Sequence, residues 1–114
     1  MSKRGPRPAD AGRALLALTT LLLLTGPPVA AVTPPTVGIK EFKYAPSVLK
    51  IAKGTRVTWI NHDEEPHTVT SATGAFASTG LANEDTFTQA FTKPGTYLYF
   101  CALHPHMKAT VIVK

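Results

Sequence analysis

The chain of 114 residues contains a single cysteine, so no disulfide can form within it. A clustered basic face is also missing. From Val32 onward, eight Lys or Arg stand against six Asp or Glu, and the four remaining basic residues all lie in the first thirteen positions. This weak balance does not predict nucleic-acid binding, which needs clustered positive charge. There is no internal repeat and no amphipathic helix outside the N-terminal segment.

The longest apolar run, residues 14–24, is shorter than the roughly 20 residues that span a bilayer. Basic residues precede this run, and a Gly-Pro-Pro break at 26–28 leads into Val-Ala-Ala at 29–31. This order predicts a signal peptide over residues 1–31, cleaved after Ala31, and a periplasmic or exported protein. An uncleaved membrane anchor is the alternative. The segment lacks an Arg-Arg pair, which disfavours twin-arginine export.

Short strands with turn residues between them make up the rest of the chain. We expect a short linker at 32–36 and one domain at 37–114. The strand-like segments are 37–42, 47–51, 55–61, 67–70, 85–91, 96–100 and 108–114. In the third of these, Val57 and Trp59 share one face, so both should lie in the core. The pattern predicts an all-β sandwich of about seven to eight strands, with an irregular excursion over 71–83.

Cys101, His104 and Met107 recur every three residues directly after an aromatic strand, and Pro105 argues against a helix there. A tight loop can therefore aim a thiol, an imidazole and a thioether at one point. One Cys, two His and a weak axial Met form the electron-transfer copper site. The second imidazole must come from elsewhere, and His67 is the candidate.

Each of these residues also has a simpler interpretation. A lone Cys is ordinarily a small buried hydrophobe, and a Met at the start of a strand is ordinarily packing. An unpaired Cys in an exported protein could also form an intermolecular bond or act as a reactive thiol. His106 could replace His104 if the register shifted by one residue. We expect His106 and His62 to lie at the surface instead.

Four landmarks in the correct order resemble the cupredoxins. They are Val-Thr-Trp-Ile-Asn at 57–61, Pro-His-Thr-Val at 66–69, Pro-Gly-Thr-Tyr-Leu-Tyr-Phe-Cys at 94–101, and Cys-x-x-His-x-x-Met at 101–107. The spacings on both sides of His104 are most similar to those of amicyanins, with pseudoazurins and plastocyanins as relatives. The resemblance covers nearly all of residues 37–114.

This resemblance implies a Greek-key β-sandwich with one type 1 copper ion bound by His67, Cys101, His104 and Met107. It implies an electron carrier rather than an enzyme, and we expect a monomer. Redox partners would dock transiently near His104. The membrane would be involved only if the N-terminal segment were retained. The alternative function is copper sequestration or delivery through the same ligands.

Two departures from the amicyanin pattern lead to structural expectations. Leu103 stands where that group has a proline, so its N–H could donate to the Cys101 sulfur. Thr68 replaces an Asn, and its hydroxyl could tie the two ligand loops together. We expect the surface around His104 to be ringed by apolar residues, namely Leu103, Pro105, Pro66, and Ala75 or Phe76.

Overall fold

The structure is a computed structural model that describes residues 3, 5, 17–23, 26 and 33–114. The chain divides into two units, residues 1–31 and 32–114, and the fold described below belongs to the second. The predicted cleavage pattern at 29–31 lies outside the described residues, and so does part of the apolar run at 14–24. Within the described part of the chain, no helix has the length and apolar character needed to cross a membrane.

In residues 33–114, eight strands form two four-stranded sheets, and the all-β sandwich predicted from the sequence is confirmed. The strands are β1 (Thr36–Lys40), β2 (Lys43–Ala45), β3 (Val48–Ile51), β4 (Thr55–Asn61), β5 (Thr70–Ser71), β6 (Thr86–Phe91), β7 (Gly95–Phe100) and β8 (Lys108–Val113). Most lie within two residues of their expected positions. The exceptions are β2, which has no counterpart among the expected segments, and β5, which was expected at 67–70 but spans only Thr70–Ser71.

The first sheet has the order β2-β1-β4-β6, and the second has the order β3-β8-β7-β5. From β2 to β7, each consecutive strand lies in the opposite sheet. Two pairs, β1 with β4 and β3 with β8, are parallel, and the other pairs are antiparallel. These crossings from one sheet to the other produce the predicted Greek-key sandwich.

Strand β4 shows why the two sheets pack together. Val57, Trp59 and Asn61 are fully buried, whereas Arg56 is exposed and Thr58 is only partly covered. This alternation confirms the predicted core face, because side chains of successive strand residues point to opposite sides of a sheet. Strand β8 repeats the pattern, with Ala109, Val111 and Val113 buried.

Trp59 lies at the centre of an aromatic cluster. Its ring centroid is 5.5 Å from that of Tyr99 in an edge-to-face arrangement, 5.7 Å from that of Phe87, and 6.2 Å from that of Phe76. Edge-to-face aromatic pairs add roughly 1 kcal/mol to the free energy gained by burying their area. The cluster therefore fastens the irregular excursion, through Phe76, to both sheets.

The excursion over 71–83 contains no helix and is pinned at two places. Thr70 forms an isolated bridge with Ala77, and His67 forms one with Leu81. The second bridge uses both backbone bonds, since the His67 N–H donates to Leu81 O at 3.1 Å and the Leu81 N–H donates to His67 O at 2.8 Å. The excursion thereby fixes the backbone of His67.

Two buried tyrosines make the fold sensitive to alkali. Burial raises the pKa of Tyr99 to about 12. Burial, together with the negative charge at Cys101, also raises the pKa of Tyr44 above its ordinary value. The Tyr44 hydroxyl donates to Thr68 O at 2.5 Å, and its ring meets that of Tyr99 edge to face at 4.8 Å. Ionising either ring would place a charge in the core.

We predict that the contribution of these two tyrosines to the free energy of unfolding is retained below pH 10 and is lost as the pH rises above it. The unfolded chain releases tyrosine protons near pH 10, whereas the folded chain holds them, so unfolding becomes easier with rising pH. The expected slope is about 1 kcal/mol per pH unit for each tyrosine involved. Urea unfolding between neutral pH and pH 11 measures the free energy of unfolding. This free energy should decline less steeply with pH for Tyr99→Phe than for the unmodified chain. Equal slopes would contradict this prediction.

Candidate metal centre

The loop that follows β4 is organised by Asn61, which is fully buried. Its Nδ2 donates to the carbonyl oxygens of Glu65 and Leu81, each at 2.9 Å. Its Oδ1 accepts from the Asp63 N–H at 2.9 Å. A buried amide with all of these partners holds the polar loop against the sandwich. The loop therefore delivers Asp63 and His67 to fixed positions.

His67 is fully buried, and its two ring nitrogens have different partners. Nε2 lies 2.8 Å from Oδ2 of Asp63, while Nδ1 faces Cys101 and His104. Because the carboxylate is an acceptor, the proton belongs on Nε2, and the lone pair of Nδ1 is free for a metal. A histidine held in this way by a carboxylate is typical of metal ligands.

The carboxyl group of Asp63 accepts three hydrogen bonds. Burial would raise its pKa, but hydrogen bonds from the backbone N–H groups of Phe42 and Glu41 and from His67 outweigh burial and lower it. Asp63 therefore remains an anion and an acceptor for the His67 ring under ordinary conditions.

The second loop follows β7 and folds through two successive turns. The Cys101 N–H donates to Met107 O at 3.1 Å, which closes the loop at its base. Within it, the His104 N–H donates to Cys101 O at 3.2 Å and the Met107 N–H donates to His104 O at 2.9 Å. The three-residue spacing thus places one turn between Cys101 and His104 and a second between His104 and Met107. Pro105 lies in the second turn.

Three donor atoms from the two loops converge at one end of the sandwich. His67 Nδ1 lies 3.2 Å from His104 Nδ1, and Cys101 Sγ lies 3.7 Å from His104 Nδ1 and 3.8 Å from His67 Nδ1. A triangle with these sides has its centre about 2 Å from each corner, the usual distance from a metal to imidazole nitrogen or thiolate sulfur. The three residues therefore fit one metal ion between them.

Thr68 joins the two loops directly. Its N–H donates to Cys101 Sγ at 3.3 Å, and its hydroxyl oxygen accepts from the Ala102 N–H at 2.7 Å. The expected tie through the Thr68 hydroxyl is therefore present. The expected bond from Leu103 to the sulfur is not found among the hydrogen bonds of the described residues, and Thr68 supplies the backbone donor instead.

Met107 is 3% exposed and belongs to the hydrophobic core, at the end of the same loop. The two surplus histidines lie at the surface, as expected. His62 Nδ1 is 3.2 Å from Glu84 Oε1, and the ring of His106 is 6.4 Å from that of His104. Neither belongs to the cluster of His67, Cys101 and His104.

Phe42 was not predicted to lie beside His104, where Ala75 or Phe76 was expected. Of that pair, Phe76 is excluded, because it is 7% exposed and packs in the aromatic core. Phe42 lies there instead, with its ring centroid 5.0 Å from His67 and 4.9 Å from His104. The sequence carries no signal for this contact. Asp63, four residues before His67, was also missed, although a carboxylate near a histidine ligand could have suggested it.

In residues 33–114, an eight-stranded Greek-key sandwich carries a His-Cys-His cluster at one end, with two members buried and the third partly buried, and this combination defines a type 1 copper domain. The cupredoxin-like domain family matches residues 13–113, and the chain belongs to this family. The resemblance that the sequence motifs indicated is therefore confirmed. The cluster of His67, Cys101 and His104 matches a type 1 copper site, in agreement with the expected cofactor.

Within the family, the chain is similar to amicyanins. It is 31% identical to the amicyanin of Paracoccus versutus, across 100% of this chain and 99% of the relative. It is 35% identical to that of Paracoccus denitrificans, across 68% of this chain and 63% of the relative. A solved structure of a reduced Cu(I) amicyanin variant superposes with a TM-score of 0.67 and 32% identity, covering 70% of this chain and 81% of that one.

We predict that Thr68→Val destabilises the folded chain by about 1 kcal/mol, because the Ala102 N–H loses its acceptor. Thr68→Ser is the matched control, since it keeps the hydroxyl and removes only a methyl group. Urea unfolding of both variants would measure the difference. Equal stability of the two variants would show that the hydroxyl does not tie the loops.

Proposed function

We propose that the protein is an exported type 1 blue copper protein that carries single electrons between redox partners. The observation that supports this most directly is the triangle of His67 Nδ1, His104 Nδ1 and Cys101 Sγ, whose sides are 3.2 to 3.8 Å. We assign the ligands as His67, Cys101, His104 and Met107. A thiolate, two imidazoles and a weak thioether are the donor set of electron-transfer copper.

When bound there, copper supplies one-electron exchange between its cuprous and cupric states. The protein supplies rigidity. His67 is held by Asp63 and by its backbone bridge to Leu81, and the Cys101 sulfur accepts from the Thr68 N–H. Because outside hydrogen bonds hold these donors in place, little rearrangement is needed when the charge of the site changes.

The surface at His104 is the proposed contact for redox partners. His104 is partly exposed, Leu103 is 53% exposed, and Pro66, Pro105 and His106 are exposed nearby. A small patch of this kind suits a transient encounter, which buries less than about 1,200 Å². We propose a monomer that releases its partners quickly and needs no nucleic acid.

The proposed site is closed, which favours an electron carrier over an enzyme. With His67, Cys101 and Met107 buried, four protein donors leave no open position for a substrate. The same burial argues against ready delivery of copper to an acceptor, which is the alternative function. We also propose that residues 1–31 form a signal peptide and that the mature protein is periplasmic.

We predict that the Cu(II)-loaded protein has intense thiolate-to-copper absorption and cycles reversibly by one electron. Visible absorption, EPR and voltammetry would measure this. Cys101→Ser should remove the absorption, and His104→Asn should change the spectrum. His106→Asn is the matched control for the alternative register and should leave the spectrum unchanged. Loss of copper to a weak chelator, without reversible cycling, would instead support copper delivery.

We predict that the protein recovered from the periplasm of an expressing bacterium begins at Val32. The basic residues, the apolar run and the Val-Ala-Ala pattern together specify this cleavage. Intact-mass measurement of the periplasmic and membrane fractions would test it. A full-length chain in the membrane fraction would show that the segment is an anchor, and Ala31→Gln should impair cleavage if the assignment is correct.

A further inference from the structure

The turn between β1 and β2 has an unusual backbone. Lys40 pairs with Lys43, so Glu41 and Phe42 alone form the turn. Both have left-handed backbones, with φ of 53° and 59°. Two-residue turns of this type ordinarily use Asn-Gly, because other side chains are strained there. With neither Asn nor Gly present, a further interaction must hold the turn in this conformation.

Asp63 supplies that interaction from the loop after β4. One carboxylate oxygen, Oδ1, accepts from the Glu41 N–H at 2.7 Å, and the other, Oδ2, accepts from the Phe42 N–H at 3.0 Å. Oδ2 also accepts from His67 Nε2 at 2.8 Å. A single carboxylate therefore joins the strained turn to the buried imidazole. Hydrogen bonds to an ionised acceptor are roughly twice as strong as those between neutral groups.

The consequence of this linkage is the position of the Phe42 ring. It meets the rings of His67 and His104 edge to face, at interplanar angles of 84° and 85°. Phe42 is 38% exposed and is not part of the hydrophobic core, so the two imidazoles account for its packing more than the core does. It also lines, with Met107 and His106, a surface cleft of about 350 Å³.

We propose that Asp63 is a positioning residue that fixes His67 and, through the β1–β2 turn, holds Phe42 as a cover over both histidine rings. The cover limits the motion of the partly exposed His104 and keeps water from the space between the two rings. Phe42 thereby becomes the aromatic part of the contact surface at His104. The consequences for copper rest on the proposed function, whereas the linkage from Asp63 to Phe42 does not.

Amide hydrogen exchange on the full chain, in its metal-free and Cu(I) forms, tests the linkage. Asp63→Asn should lower the protection of the Glu41 and Phe42 amides by about tenfold or more, while the protection of β4 and β8 stays unchanged. Glu64→Gln is the matched control, because it removes the same charge from an exposed neighbour in the same loop. Unchanged protection in Asp63→Asn would overturn the proposal.

Proton NMR of the same samples tests the cover itself. Phe42→Leu should remove the ring-current shifts of the His67 and His104 ring protons, and Asp63→Asn should reduce them toward the values of Phe42→Leu. Shifts in Asp63→Asn equal to those of the unmodified chain would show that Phe42 stays in place without Asp63, against the proposal.

A rescue variant separates this role from a general loss of folding. Glu41→Asn relieves strain at the first turn position and leaves Asp63 untouched. Combined with Asp63→Asn, it should restore part of the Phe42 amide protection. An Asp63→Asn variant that unfolds globally, without recovery in the double variant, would count against a positioning role. In the Cu(II) form, Phe42→Leu should alter the EPR spectrum only if copper occupies the site, so a failure of the proposed function remains distinguishable.

Discussion

Two imidazole nitrogens and a sulfur must stay within 4 Å of one another, although each turns an electron-rich atom toward the same point. Without a cation, only a shared proton can make this proximity favourable, so the surrounding chain also has to hold the atoms in place. The bonds that do so come from outside the cluster, through Asp63 to His67 and through Thr68 to Cys101. The sandwich therefore serves mainly to hold two loops in register.

The sandwich meets this requirement by tying each loop to buried residues. Asn61 organises the first loop from the last position of β4, the strand that also carries Trp59. The second loop is closed at its base by a backbone bond between Cys101 and Met107, where β7 ends and β8 begins. Distortion of the core would therefore reach the metal centre through only a few bonds, which links the stability of the fold to the geometry of the site.

The sequence predicted those parts that depend on short-range pattern. Alternation placed Val57 and Trp59 in the core, and the three-residue spacing brought Cys101 and His104 together. The rest depends on contacts across the fold. Phe42 reaches the histidines only because a carboxylate 21 positions away binds its backbone, and nothing in the residues at 41–42 signals such a turn. The choice between Ala75 and Phe76 for the surface at His104 stayed open because the stretch 71–83 has no period from which burial can be predicted.

Strand β8 follows the metal-binding loop in the chain, yet it is the central partner of both β3 and β7. During biosynthesis, Cys101 and His104 therefore emerge before the strand that joins their sheet exists. Until β8 docks, nothing fixes Met107, the acceptor of the backbone bond from Cys101 that closes the loop. The geometry of the donor triangle therefore depends on a strand that carries none of the three donors.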